Sequence, residues 1–320
     1  MPLPRAAGLV LGAAADAVLG DPSRYHPVAG FGRFASWLER RCYRDSKPAG
    51  AGYLALAAGS AAASATALHL LVRGRPVAQT LAVAAATWTV LGGTSLAREA
   101  TALADELEAG DLAAARARIP HLCGRDPAAL DAAGMARAGC ESIAENTSDA
   151  VVGPLFWGAV AGLPGLIGYR AMNTLDAMVG YRSPRYARFG WASARADDLV
   201  NLAPARLTAA LTVAAAPLVG GSPSAAARTW RRDAGRHPSP NAGPVEAASA
   251  GALGLRLGGP TRYPHGTELR PTLGDGRPPE PADLRRVARL SRIVTAGTVL
   301  AVAAAGCRVP GSRVPGSRVP

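Results

Sequence analysis

Two uninterrupted apolar runs constrain this chain most: residues 49–72 and 76–97 carry no Asp, Glu, Lys or Arg over 24 and 22 positions. At about 1.5 Å per residue, either run makes a helix long enough to cross a hydrocarbon layer of roughly 30 Å. Arg73, Gly74, Arg75 and Pro76 put two cations and a helix breaker at their joint, which predicts a tight antiparallel hairpin. Both runs are full of Ala, Gly, Ser and Thr, residues that let helix backbones approach closely. They read as helices packed on protein, not as isolated anchors.

Further apolar segments are less regular. Residues 150–169 are punctuated by Pro154, Gly158, Gly162, Pro164 and Gly165, which predicts a kinked or re-entrant element. A run over about 199–220 is interrupted by Pro204 and Arg206. Residues 293–306 are too few to span comfortably, so the last span is expected to be truncated or interfacial. The N-terminal run from Ala6 to Gly20 is equally short and contains Asp16; with Arg5 ahead of it and Ala13–Ala15 before Asp16, it has the outline of a signal peptide.

The expected fold class is therefore all-α: a polytopic membrane protein with about four or five membrane helices, some broken or re-entrant, joined by Pro/Gly-rich polar loops. One membrane-embedded catalytic domain is expected over 1–307, with 221–292 a mostly polar cytoplasmic loop region. The Arg-Val-Pro-Gly-Ser repeats from Arg308 read as a low-complexity disordered tail over 308–320.

Only 18% of residues are charged against 49% apolar, a deficit that points to lipid. The net charge of +12 comes from arginine, Lys47 being the only lysine. These arginines are dispersed, with no aromatic-interleaved basic stripe, which disfavours nucleic acid as a partner. Cys42, Cys123, Cys140 and Cys307 form no C-x-x-C pair, which argues against a structural zinc site or a disulfide framework. P-loop, H-E-x-x-H and G-x-S-x-G motifs are all missing from the sequence, disfavouring P-loop ATPases, zincins and serine hydrolases.

Polar residues gather beside the apolar runs. Glu141, Ser142, Glu145, Asn146, Thr147 and Asp149 crowd before residue 150, and ionisable groups at a membrane edge are candidate sites. On a helix, Glu141, Glu145 and Asp149 are displaced by about 40° from one another, so the three carboxylates would share a face. Magnesium is the candidate cation for that stripe; a solvated acidic face is the competing reading. In a second block, Asn173 and Asp176 are helical neighbours, as are Asp198 and Asn201. Arg170, Arg182, Arg185, Arg188 and Arg195 lie among them and suit phosphate or carboxylate oxygens. A positive-inside loop with Tyr181, Tyr186 and Trp191 as interfacial aromatics explains part of this block equally well, and Arg185 and Arg188 are the expendable ones on that reading. Asp21, His26 and Arg33 form a third block, His26 before Pro27 being more typical of a turn residue than a base. His237 and Asn241 lie in a rigid Pro/Gly-punctuated loop and carry the same reservation.

Taken in order, ESIAENTSDAVVGPLF (141–156), NTLDAMVGY (173–181), FGWASARADDLVNLAPARLTA (189–209) and SPNAGPVEAASAGALGLRLGG (239–259) resemble the cobalamin-biosynthesis CobD/CbiB family, as does DAVLGDPSRYHPVAGFGR at 16–33. The likeness covers roughly residues 16–300. It implies an adenosylcobinamide-phosphate synthase in a prokaryotic cell membrane. Independently of the resemblance, the basic stretches 33–47 and 221–292 and a re-entrant 150–169 predict a site at the cytoplasmic edge. The implied reaction uses ATP to join a corrinoid carboxyl, that of adenosylcobyric acid, to aminopropanol or its phosphate ester. Residue type then suggests roles: Glu141, Glu145 and Asp149 for magnesium; Arg182 and Arg195 for phosphates or a developing oxyanion; Asp197 or Asp198 as base. Asp21, His26, Arg33, Asn146, Asn173, Asp176, Asn201, His237 and Asn241 are the expected substrate and nucleotide contacts. Two rival readings stand beside this one. A magnesium-dependent membrane phospho- or prenyltransferase is disfavoured by the missing repeated aspartate motifs, and a non-catalytic membrane sensory protein would not need the full polar set.

Overall fold

The computed structural model describes residues 1–22, 26–181, 183–263 and 266–307. In chain order these form α1 (Leu3–Leu19), α2 (Pro27–Cys42), α3 (Lys47–Val72), α4 (Pro76–Val90), α5 (Gly93–Glu108), α6 (Leu112–Leu122), α7 (Ala132–Thr147), α8 (Gly153–Val179), α9 (Trp191–Ala215), α10 (Pro223–Asp233) and α11 (Ala242–Leu253). An antiparallel hairpin, β1 (Leu257–Tyr263) and β2 (Gly266–Leu273), and then α12 (Pro281–Cys307) complete them. Helix starts follow local chemistry. Ser46, Asp111, Asp131 and Ser222 each accept a backbone N–H at the head of α3, α6, α7 and α10, satisfying donors that have no intrahelical partner.

The fold is that of a polytopic helical membrane protein. Five segments are long and apolar enough to cross a bilayer: Lys47–Val72, Pro76–Glu108, Ala132–Val179, Trp191–Val219 and Pro281–Cys307. Two cores organise them. One, containing Leu9, Val83, Val151, Leu155, Leu166 and Val302, joins α1, α4, α8 and the C-terminal half of α12. The other joins α5, α6, α7, α10, α11, the end of α9 and the N-terminal half of α12. Large apolar side chains left exposed concentrate on α1, α3 and α4, among them Leu11, Leu56, Leu71 and Leu81, with Val160 of α8 and Leu300 of α12 beside them, as a lipid-facing surface requires.

Three expectations need correction. Residues 73–75 do join α3 to α4 by a short turn, but the helices are not a tight pair: α4 packs chiefly on α1, and α3 on α8. Small residues decide this, because a Cβ on Gly8 would stand 2.6 Å from that of Val83 and 2.8 Å from the Thr80 carbonyl oxygen, and Gly12 meets Thr87 and Ala84 as closely. This Gly-x-x-x-Gly face draws α4 onto α1. The last apolar run is also not truncated. Its helix begins at Pro281, 12 residues before the uncharged stretch, because Asp283 is buried at its start between Arg277 and Arg286. Residues 221–292, finally, are not mainly loop: they fold as α10, α11, the β-hairpin and the head of α12, and α11 is almost wholly buried.

The punctuated run behaves as its prolines and glycines predict. At Gly162 the backbone turns through φ 66°, ψ −145°, and the two arms of α8 fold back on each other. Gly153 sits against the Tyr169 ring, Gly158 against Leu166, and Gly165 against the Trp157 carbonyl. Segment Ala132–Val179 is long enough to span by length, yet its second half returns to the level at which α8 started. The descending arm, nine residues from 153, is about 13 Å of helix, less than half a hydrocarbon layer.

Candidate functional site

The mouth of this re-entrant hairpin is where the separated polar blocks meet. α7 ends in a wide π-type turn over Ser148–Val152, and the carbonyl of Ala150 within it accepts the N–H of Gly92 from the α4–α5 joint at 3.2 Å. That turn swings Asp149 toward the returning arm. Asn173 Nδ2 donates to Asp149 Oδ2 at 3.5 Å and to Asp197 Oδ1 at 3.3 Å. Asn201 Nδ2 donates to the other Asp197 oxygen at 2.9 Å, and Tyr169 Oη donates to Asn201 Oδ1 at 2.7 Å. Three helical elements thus hold two carboxylates through one shared amide. Asp176 stands within electrostatic reach of Asp197, Asp198 and Glu145, and Arg170 of Asp149 and Asp21.

A second acidic group adjoins the first. Ala144, Ala205 and Val245 pack together where α7, α9 and α11 meet, and the residues following the first and last of these are Glu145 and Glu246. Glu145 is accessible, while Glu246 is 94% buried, being 6% exposed. Its carboxyl is pushed well above the ordinary range by burial and then by Glu141 and Glu145. His237 Nε2 is 3.9 Å from Glu246 Oε1 and 2.9 Å from Arg270 Nη1. Burial, and then the neighbouring Arg270 charge, hold the His237 imidazole below its usual range.

Most of the expected residues converge here. Glu145, Asp149, Asn173, Asp176, Asp197 and Asn201 surround the hairpin mouth. Asn241 joins them by donating to the Asp198 carbonyl at 2.8 Å and accepting from Arg206 at 3.1 Å. Asp21 reaches the edge through Arg170. Asn146 donates back to Ser142 at 2.9 Å within its own helix. Arg195 is exposed and pairs with Asp198 at 3.4 Å. Arg182 lies outside the described residues, as does the tail from 308.

Others are placed differently. The three-carboxylate stripe does not stay on one face: Glu141 is ion-paired with Arg125 and accepts the Gly258 N–H at 2.7 Å, and the π turn rotates Asp149 away. Among the described residues, no three His, Cys, Asp or Glu side chains stand together as a set for one metal ion. His26 caps α2, its Nδ1 accepting the Val28 N–H at 3.2 Å, the turn role its Pro neighbour suggests. Arg33 is exposed on α2. Arg185 is not expendable to the structure, because it bridges to Glu39 at 2.9 Å and stacks on Tyr43.

Sequence reasoning missed Glu246, Arg125 and Arg270. A signal for the first existed: one carboxylate inside the otherwise uncharged 242–253 run, a residue type rarely buried without reason. Neither arginine has such a signal, since each arrives from a loop or strand remote in sequence.

Fold and site together define a polytopic helical membrane protein with an acid, amide and arginine site built around a re-entrant hairpin. The family described as CobD/Cbib protein matches residues 9–291, and the chain belongs to it. It is 59% identical over 300 residues to the cobalamin biosynthesis protein CobD of Mycobacterium tuberculosis, covering 93% of this chain and 95% of that protein. Proteins of the same name from Pelobacter propionicus and Chromobacterium violaceum are 45% identical over 273 residues and 44% over 284, covering 83% and 86% of this chain and 84% and 88% of theirs. No solved structure matches the chain.

Proposed function

We propose that this protein acts in cobalamin biosynthesis as an ATP-dependent amide-forming enzyme, joining a corrinoid carboxylate to aminopropanol or its phosphate. The observation that carries this reading is the convergence of Asp149, Asn173, Asp197 and Asn201 at one hairpin mouth, with Glu145, Asp176 and Arg170 around them. A carboxylate does not react with an amine until it is activated, and an acyl phosphate formed from ATP supplies that activation.

Asp149 and Asp197 offer hard oxygen donors on either side of one amide. That donor set fits magnesium, which takes one or two carboxylates and completes its shell with phosphate and water oxygens. When bound, the ion would shield the triphosphate charge. Asn173 sets the spacing of the two carboxylates, while Asn201 and Tyr169 hold Asp197 in one orientation. Arg170 is placed to offset charge near Asp149. Asp198, on the same helix and paired with Arg195, is the group we assign to the outer edge of the site. Exposed Arg33, Arg40 and Arg41 on α2 support a cytoplasmic orientation for the hairpin mouth by the positive-inside rule, on the side where ATP is available.

Complementation tests the proposal. Expressed in a bacterium lacking its own adenosylcobinamide-phosphate synthase and fed cobyric acid, the wild-type chain should restore corrinoid-dependent growth, and Asp197→Asn should not. Failure of the wild type despite good membrane expression sinks the reading.

A further inference from the structure

Helix α2 carries aromatic side chains on a flank that its own packing leaves open. At about 100° per residue, Phe31, Ala35, Leu38 and Cys42 share one side and pack into the core formed with α3, α8 and Phe189. Phe34, Trp37 and Arg41 follow at i, i+3 and i+7 on the adjoining flank. Phe34 is 38% and Trp37 43% exposed. Their rings stack at 6.0 Å, and the Arg41 guanidinium lies 4.1 Å from the centroid of the Trp37 ring. Arg33 and Arg40 continue round to the outer side.

The neighbours of α2 fix its depth. Two of the segments long enough to cross a bilayer begin at Lys47 and Trp191, and Lys47 Nζ stands 4.9 Å over the half-exposed Trp191 ring. A lysine on a tryptophan at the head of two spans marks the headgroup level. α2 ends at Cys42, shortly before Lys47, and packs on α3 and α8. Arg33 and Arg40, two turns apart, keep it from dipping into the hydrocarbon. Charge narrows the choice further. Arg33, Arg40, Arg41 and Arg44 are exposed and form no salt bridge among the described residues. The acids of 33–47 do not answer them: Glu39 is turned inward onto Arg185 Nη2 and Tyr186 Oη, both at 2.9 Å, and Asp45 stands 3.9 Å from Arg188.

We propose that α2 and the turn after it, through Trp37, Arg40, Arg41 and Arg44, form a docking surface for an anionic phospholipid of the leaflet at the hairpin mouth. An amphipathic helix with aromatics on one flank and arginines on the next suits the boundary between acyl chains and headgroups. The arginine forks match phosphodiester oxygens. Phosphatidylglycerol presents that charge uncompensated, whereas phosphatidylcholine carries its own cation beside it. A soluble phosphate offers the same oxygens but gains nothing from Phe34 and Trp37. The bilayer around α3 and α9 supplies both parts at the required level.

The test uses the full chain in detergent micelles, titrated with phosphatidylglycerol, phosphatidylcholine or soluble glycerol 3-phosphate, with bound molecules counted by native mass spectrometry. The wild type should retain phosphatidylglycerol in preference to phosphatidylcholine and should not take up glycerol 3-phosphate at the same concentration. Each basic residue near an anionic surface contributes about fivefold in affinity. Arg40→Gln combined with Arg41→Gln should therefore lower the affinity for phosphatidylglycerol about 10- to 30-fold and leave that for phosphatidylcholine unchanged. Trp37→Ala should weaken both lipids. Arg40→Lys with Arg41→Lys keeps the charge and should keep most of the affinity, which separates a lost charge from a damaged helix. Arg228→Gln with Arg231→Gln removes the same charge from the exposed face of α10 and should leave lipid binding as it is. Equal wild-type affinity for the two lipids overturns the proposal, as does a loss in the α10 variant or the lysine variant as large as in the glutamine one. Glycerol 3-phosphate that displaces phosphatidylglycerol identifies a soluble phosphate as the ligand and overturns the membrane assignment.

Discussion

Arg5 gives the sharpest test of the re-entrant hairpin. Its Nη1 lies 3.2 Å from the carbonyl oxygens of both Ala159 and Val160, the last turn of the descending arm. The chain reverses at Gly162, and four residues on from Val160 stands Pro164, which has no N–H to offer that carbonyl; lipid offers no substitute. A hydrogen bond from a charged donor contributes about 1.5–3 kcal/mol, and a cation at a helix C-terminus adds about 0.3–1 kcal/mol. Replacing Arg5 with Met, similar in length and without donors, should therefore cost about 3 kcal/mol. With an unfolding entropy of about 2.1 cal/mol/K per residue, a chain of 320 residues loses about 4 °C in melting temperature.

The assay is thermal unfolding of wild type, Arg5→Met and Arg5→Lys in nanodiscs, with Arg5→Lys expected between the other two. Gly162→Ala supplies the second arm of a cycle. Its backbone at φ 66° suits glycine alone and should cost about 1–3 kcal/mol, and its new Cβ would stand 3.2 Å from Arg5 Nε. Once Arg5 is gone that crowding is relieved, so the double variant should lose less than the two single losses combined. A melting temperature for Arg5→Met within about 1 °C of wild type would falsify the cap and, with it, the argument for how this tip is tolerated in an apolar layer.

Other outcomes follow from single contacts. Asn173→Ala removes the amide shared by Asp149 and Asp197; turnover should fall at least about tenfold, as expected for a group that positions charge in a site, while membrane yield stays near wild type. Arg125→Ala leaves Glu141 buried without its counter-charge, the Gly258 N–H alone remaining to it, and should destabilise by about 3 kcal/mol, whereas adding Glu141→Gln should recover much of that loss; equal melting of single and double variants would count against the pair. Asp233 is held below the usual carboxylate range, first by Arg232 and also by the Gly274 N–H. Its contribution is thus present above the unfolded value of about 4 and lost as pH falls through the lower folded value. The stability gap between wild type and Asp233→Asn should be constant from neutral pH to about 4 and shrink below it; a gap that widens on acidification would contradict the assignment.

What the sequence made legible was mostly periodic or punctuated. Long uncharged runs announce helices by length alone, and the prolines and glycines of 150–169 announce a break because each removes a donor or loosens the backbone. Asn173, Asp197 and Asn201 could be picked out because amides and acids are costly beside apolar helices. Packing partners were not legible in the same way. Nothing in the α3–α4 turn says that Gly8 and Gly12 will draw α4 onto α1, and the acidic stripe assumed an unbroken helix through Asp149. The π turn that breaks it depends on Gly92, 58 positions upstream of Ala150, a contact that no local pattern encodes.

The same requirement that shaped the hairpin explains why the site sits at its mouth. A chain that breaks its helix in an apolar layer must find a protein partner for every freed backbone group, and the partners found here are side chains and loops of the site itself. Gly92 N–H takes the Ala150 carbonyl, Tyr169 Oη donates at 3.1 Å to the Asp149 carbonyl, and Trp157 Nε1 donates at 2.9 Å to the Val200 carbonyl. Each of these bonds also fixes an element that carries a polar group: the π turn with Asp149, the returning arm with Asn173, and α9 with Asp197 and Asn201. Disturbing the backbone accounting of the hairpin should therefore disturb the spacing of the carboxylates, and variants such as Arg5→Met should lose turnover in step with stability although Arg5 lies at the far end of the hairpin from the site.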